Sequence, residues 1–290
     1  MKHTTSWANF AKGAAVAGLF GVATIAGANA APLQTLNVSP SAAGLSNAPD
    51  YSFNGIRTSD FSTINLTSTG SGGFSFTESG FLPFATFDPG NFTPPGLNGA
   101  TGANPYGLYI QFTGAGSLSP SNTPAGSLVG SFSSLSYTLF GDAGFNSSFN
   151  HFDGTHQVTC VGCGDDVALA TGTLFAGGTN ALSILSASSA NPLPAAFVDL
   201  LFNGTSSFFV SPSPPFSLDL TTQFSNTVAV TNRYTTGLPP GVTEVVTIGT
   251  TSNVGGSGTG QFLAVPEPAS MAILGAGLVG LGLIRRRRKA

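Results

Sequence analysis

Between residues 31 and 263 no long stretch repeats apolar side chains at the helical period, whereas short segments repeat them at every second position. That two-residue period is the pattern of a strand with one face on a core and one in water. Phe216-Ser217-Leu218-Asp219-Leu220-Thr221-Thr222-Gln223-Phe224 shows it, as does Tyr106-Gly107-Leu108-Tyr109-Ile110-Gln111-Phe112. Further strands are predicted at 74–77, 135–140, 167–175, 197–202, 207–210, 227–231 and 242–248. Turn signals separate them: Asn54-Gly55, Asp88-Pro89-Gly90, Pro94-Pro95-Gly96, Asn203-Gly204 and Leu238-Pro239-Pro240-Gly241. The Ser- and Gly-rich stretch 117–126 reads as a loop. Such a series predicts an all-β fold, an antiparallel β-sandwich of jelly-roll type or, failing that, a barrel, with Phe supplying most of the core. The competing reading is a largely disordered segment; 24 Phe residues at strand spacing argue against it.

Charge is sparse and unevenly placed. Only 7% of residues are charged, against about 25% in an ordinary soluble domain. Seven of the nine basic residues sit at the ends: Lys2, Lys12, Arg285, Arg286, Arg287, Arg288 and Lys289. Between them the chain is acidic, with Arg57 and Arg233 as its only cations. No basic face exists to neutralise phosphates, so nucleic acid is excluded as a partner.

The N-terminal end has the order of a secretory signal peptide. Lys2, His3 and Lys12 flank a polar lead, a small apolar run follows from Gly13 to Gly27, and Ala28-Asn29-Ala30 supplies the small-residue cleavage motif. Cleavage by signal peptidase is expected after Ala30 or one residue later, following passage through the secretion translocon. The alternative is an uncleaved transmembrane anchor, which the short Gly- and Ala-rich run disfavours.

At the other end, a glycine-rich spacer precedes Val265-Pro266-Glu267-Pro268, an apolar run from Ala269 to Ile284, and the basic stop Arg285, Arg286, Arg287, Arg288 and Lys289. Sixteen helical residues span about 24 Å, slightly short of a ~30 Å hydrocarbon core, a difference that snorkelling basic side chains make up. The basic cluster stays on the cytoplasmic side, so the chain before Val265 lies outside the inner membrane. Pro266 and Pro268 bias their neighbours away from helix and lack backbone donors, leaving the motif extended where a peptidase can bind it. The predicted organisation is a signal peptide at 1–30, a β-rich mature region at 31–254, a Gly-rich linker at 255–264, and a sorting segment with its transmembrane helix at 265–290.

Val-Pro-Glu-Pro, a short Gly-, Ala- and Leu-rich helix and an Arg-rich end resemble the PEP-CTERM sorting signal. The resemblance implies that an exosortase-type membrane peptidase recognises Pro266, Glu267 and Pro268. It also implies that the precursor is held transiently in the inner membrane of an exported, exopolysaccharide-producing context. The product would then pass to the outer surface or extracellular matrix. A plain, permanent C-terminal anchor is the alternative reading. Leu169 to Phe175 and Ser207 to Leu218 more weakly resemble flocculation-associated proteins that carry the same signal, which implies a role in cell aggregation.

The densest chemistry lies between His151 and Asp166, which includes His156 and both cysteines, Cys160 and Cys163. In an exported chain, two cysteines and no others most simply form one disulfide. Zinc on Cys160, Cys163, His151 and His156 has suitable ligand types but no zinc-finger order. A redox-active pair would need an activating helix that does not follow. Asp153, Asp165 and Asp166 offer carboxylates for a structural calcium without an EF-hand pattern. No catalytic constellation is legible: there is no G-x-S-x-G elbow, no spaced carboxylate pair, and no phosphate-binding or dinucleotide fingerprint. The chain therefore reads as a structural or adhesive surface protein of biofilm or flocs, not an enzyme, and without cofactor or metal. Its alternative is a carbohydrate-binding module or weak polysaccharide-active enzyme, with extracellular polysaccharide as partner and aromatics such as Tyr109 stacking on sugars.

Overall fold

The computed structural model describes residues 33–123, 125–151, 155–176, 179–204, 206–223, 229–250 and 258–263. All belong to the second of two units, Leu33–Ala290, into which the chain divides after Pro32. In chain order the described strands are β1 (Leu36–Val38), β2 (Tyr51–Phe53), β3 (Gly55–Thr58), β4 (Phe61–Ser68), β5 (Phe74–Asp88), β6 (Tyr106–Asn122), β7 (Ala125–Ala143), β8 (Ser148–His151) and β9 (Val158–Val161). They continue with β10 (Val167–Leu174), β11 (Asn180–Leu185), β12 (Leu193–Gly204), β13 (Phe209–Ser211), β14 (Phe216–Gln223), β15 (Ala229–Tyr234), β16 (Glu244–Thr250) and β17 (Gly258–Leu263). The only helical element among the described residues is a 3₁₀ turn at Cys163–Asp165.

The ladders are antiparallel and close on themselves. β5 pairs with β6 and β6 with β7. β7 passes to β10 and β11, and both of these pair with β12. The circuit returns through β14, β17 and β3 to the far half of β5. The pairings thus run in a ring and do not separate into the two facing sheets of a jelly roll. Closure removes the open edges that a sandwich leaves at the ends of each sheet. β5 is long enough to fork: its first half pairs instead with β4, which carries β16 and then β15. β15 meets the β11–β12 connection, where Arg233 N donates to Ala190 O at 3.0 Å and Thr231 Oγ1 to Pro192 O at 2.6 Å.

Alternation decides which residues line the interior. On β5, Phe76, Glu78, Leu82 and Phe84 are buried while Ser75 and Thr77 are exposed. A small sheet of β13, β1 and β2 closes one end of the barrel over a cluster of rings. Phe53 stands 4.4 Å from Phe87, and Phe202, Phe216 and Phe262 form a mutual trio at 5.5–5.8 Å. Each such buried ring stabilises the fold by about 1.5–3 kcal/mol, and edge-on geometry adds to that.

Three sequence expectations change here. Residues 117–126 are not a loop but the tip of the β6–β7 hairpin, in which Leu118 and Leu128 supply buried side chains that the Ser-rich flanks concealed. Asn203-Gly204 is not a turn, because β12 runs through it opposite Ala170 and Thr171. Gly258–Leu263, assigned to a flexible linker, is strand β17, which the ring needs in order to close between β14 and β3. Gly260 fits a close approach: a Cβ there would stand 2.7 Å from Leu218 Cδ1 and 3.1 Å from Ile56 Cγ1. Phe262 alongside it is buried in the aromatic cluster.

Candidate functional site

The described residues of this dense stretch, with β8 before them, form a cover on the outside of the barrel. β8 and β9 pair as a hairpin, Phe149 opposite Cys160. The hairpin is pinned through Thr63, whose hydroxyl donates to His156 O at 2.8 Å and accepts from Val158 N at 3.1 Å. Asn65 and Gln157 add reciprocal amide bonds of 2.9 and 3.2 Å. Phe149 enters a cluster of outward rings, 4.8 Å from Phe81, 5.0 Å from Tyr109 and 6.0 Å from Phe61.

Tyr109 is therefore not a solvent-side platform for sugars. It is 3% exposed, lies beneath the hairpin and stacks on Phe140 at 5.4 Å. Sequence parity correctly puts its side chain outside the barrel, but not under a cover formed by residues some forty positions later. Its hydroxyl donates to Asp166 Oδ2 at 2.5 Å. Burial, reinforced by the Asp166 carboxylate, holds that hydroxyl well above its ordinary pKa.

Cys160 and Cys163 are disulfide-bonded, their Cα atoms 6.0 Å apart. The bond ties β9 to the 3₁₀ turn and leaves no thiol for zinc. His156 is elsewhere engaged, lying flat on Tyr234 with ring centroids 3.5 Å apart. Asp165 is exposed, and Asp166 accepts from Ser147 Oγ at 2.9 Å in addition to Tyr109. Burial raises the Asp166 pKa, with the two hydroxyl bonds opposing. Among the described residues no group of three His, Cys, Asp or Glu side chains converges as a metal site. Asp153, proposed above as a calcium ligand, lies outside the described residues.

Two features were missed from sequence. Asp60 and Glu78 are buried inside the barrel, 2% and 7% exposed, on a small cavity of about 30 Å³ whose other lining includes Leu82, Ile110, Leu135, Tyr137 and Val198. Burial pushes the Asp60 carboxyl up to about 7, with a bond to Ser62 opposing. Burial and then the Asp60 charge push Glu78 up to about 8. The signal was present, since Glu78 shares inward parity with Phe76 and Leu82. On the outside, Gln111, Thr113, Ser136, Thr138, Thr171 and Asn203 line a shallow groove of about 430 Å³ across β6, β7, β10 and β12. Its polar groups are hydroxyls and amides set beside the Phe112 ring, with Thr113 and Ser136 already bonded at 3.1 Å.

The proposed cleavage residues Ala28 and Ala30, the motif Val265, Pro266, Glu267 and Pro268, and the basic stop Arg285 to Lys289 lie outside the described residues. So does the apolar run 269–284; among the described residues no helix is long and apolar enough to cross a membrane. The described structure does bring the flanks of the two proposed processing points together. Leu33 bridges Leu263, and Gln34 N donates to Phe262 O at 2.7 Å.

The described residues thus form an all-β antiparallel protein whose last described strand ends two residues before Val265. Residues 264–289 match the family model of the PEP-CTERM protein-sorting motif. The match supports an exported protein sorted at the membrane and processed by exosortase. It does not extend to the strings in β10 and around β13–β14 that resemble flocculation-associated proteins. No curated protein and no solved structure matches the chain.

Proposed function

We propose that the barrel is a non-catalytic structural or adhesive component of an extracellular polysaccharide matrix, released there when exosortase removes its C-terminal segment. The sorting motif at residues 264–289 carries the reading. The bridge between Leu33 and Leu263 supports it: the described residues nearest the two proposed cleavage points meet at one place on the closed ring, so trimming both ends leaves the ring intact. A surface with few charges and many hydroxyls and amides suits contact with glycans. The uncharged groove across β6, β7, β10 and β12 favours polysaccharide binding over catalysis as a second reading, because it presents hydrogen-bonding groups and no acid–base pair.

Intact mass of the protein from membrane, cell-surface and medium fractions tests this. The expected species begins near residue 31, has lost the segment after the motif, and shows no turnover on the producer's polysaccharide. Flocs should weaken in a deletion strain. A membrane-bound species retaining 265–290 as the end product, or normal flocs without the protein, would overturn the proposal.

A further inference from the structure

Phe145 holds its backbone at φ 54°, a left-handed conformation that a bulky side chain rarely adopts. The turn around it enforces this. Gly144 precedes it at φ 95° and donates its N–H to Pro105 O at 3.1 Å, while buried Asp142 accepts the backbone N–H groups of Asn146 at 3.2 Å and Ser147 at 2.9 Å. The outcome is a phenyl ring left 38% exposed. Glycine would fill this backbone position without strain; the ring instead lies over Gly107 and Gly99, where a Cβ would stand 3.3 and 3.8 Å from it, and still keeps an exposed side. Strain sustained to present a side chain directs attention to what that side chain faces.

Phe145 faces a cleft of about 180 Å³ between the β8 strand and the β4–β5 wall, which Phe61 and Phe149 also line. Asn98, Ser147 and Ser148 contribute amide and hydroxyl groups. Asn98 is itself left-handed, at φ 51°, and is fixed by donation from its side-chain amide to Phe84 O at 2.8 Å. Ser147 gives its proton to Asp166, which leaves its oxygen as an acceptor. No ionisable side chain lines the cleft. A sugar ring has the matching duality, an apolar C–H face and a rim of hydroxyls, and the uncharged lining selects a neutral one.

We infer that this cleft binds one ring of a neutral extracellular polysaccharide, with Phe145 stacking on the ring face and Asn98, Ser147 and Ser148 bonding its hydroxyls. The inference rests on the matrix reading above and names the site through which it would act. Two variants test it in the processed protein isolated from the native bacterium. Phe145→Gly removes the ring and relieves the backbone; Ser148→Trp fills the cleft from an exposed position. The probes are short oligosaccharides from the producer's exopolysaccharide, separated into neutral and uronic-acid fractions. Titration calorimetry should show the neutral fraction binding and at least tenfold weaker binding by either variant, and NMR of the parent protein should show amide shift changes confined to 98 and 145–149. The Tm of Phe145→Gly should stay within a few degrees of the parent. Parental affinity in both variants would overturn the cleft while leaving the matrix reading intact, as would preference for the acidic fraction. A large fall in Tm for Phe145→Gly, with Ser148→Trp binding normally, would make Phe145 a packing residue. Binding of neither fraction would overturn the cleft and polysaccharide association together, and floc strength in the deletion strain would then judge the matrix role alone.

Discussion

The Tyr109 hydroxyl donates to Asp166 Oδ2 across 2.5 Å, joining a residue of the barrel wall to the segment that follows the Cys160–Cys163 disulfide. Through this bond and the Phe149 contacts, the hairpin cover and the β6 strand act as one packed unit. Replacing Asp166 by Ala leaves a hydroxyl on a side chain that is 3% exposed without its acceptor. The expected loss is about 1–3 kcal/mol, and Tyr109→Phe should cost less because it removes the group instead of orphaning it. Urea unfolding of both variants checks the order.

The disulfide closes a loop of sequence separation 3. On the chain-entropy account so short a loop is worth about 2 kcal/mol. Cys160→Ser with Cys163→Ser should lower stability by about that amount and raise hydrogen exchange first in β8–β9, with β5, β6 and β7 unchanged. Equal loss of protection across the barrel would contradict a local clamp.

Asp60 and Glu78 make stability depend on pH in the direction opposite to paired carboxylates. Unfolded, they ionise near 3.8 and 4.5; folded, they keep their protons to about 7 and about 8. The native state therefore binds more protons across that interval, and stability falls as pH rises through it. Their contribution is full below about pH 4 and largely lost by about pH 8, a change on the order of several kcal/mol. Glu78→Gln should flatten the thermal-stability profile between these limits. A profile that rises with pH there, or that Glu78→Gln leaves unaltered, would refute the assignment.

Gly116 on β6 points inward, and a Cβ on it would press on the Ser131 carbonyl oxygen and stand 2.6 Å from the Phe76 ring. Gly116→Ala should cost about 1–3 kcal/mol by overpacking. Gly164→Ala meets nothing within 4 Å and serves as the control, expected to leave the unfolding midpoint nearly unchanged.

Local pattern made much of this legible. Phe216 to Gln223 and Tyr106 to Phe112 alternate because one face of a strand meets a core, so strand identity and inward parity could be read without any partner in view. The sorting motif was equally legible, since a peptidase reads an extended peptide beside an apolar run, and those properties reside in contiguous residues.

Ring closure was not, because it depends on which strand edges meet over long separations: β17 joins β3 some two hundred residues away, and its Gly-rich sequence resembles a spacer until Phe262 finds its aromatic neighbours. The same holds for the sites. Sequence by itself determined that this chain builds strands, which faces of them are apolar, and that its C-terminal end carries a sorting motif. Tertiary structure alone decided that Tyr109 is covered, that Asp60 and Glu78 share the interior, and that Phe145 stands out over a cleft. Each of those outcomes is set by the burial and field that distant segments impose, which no window of local sequence contains.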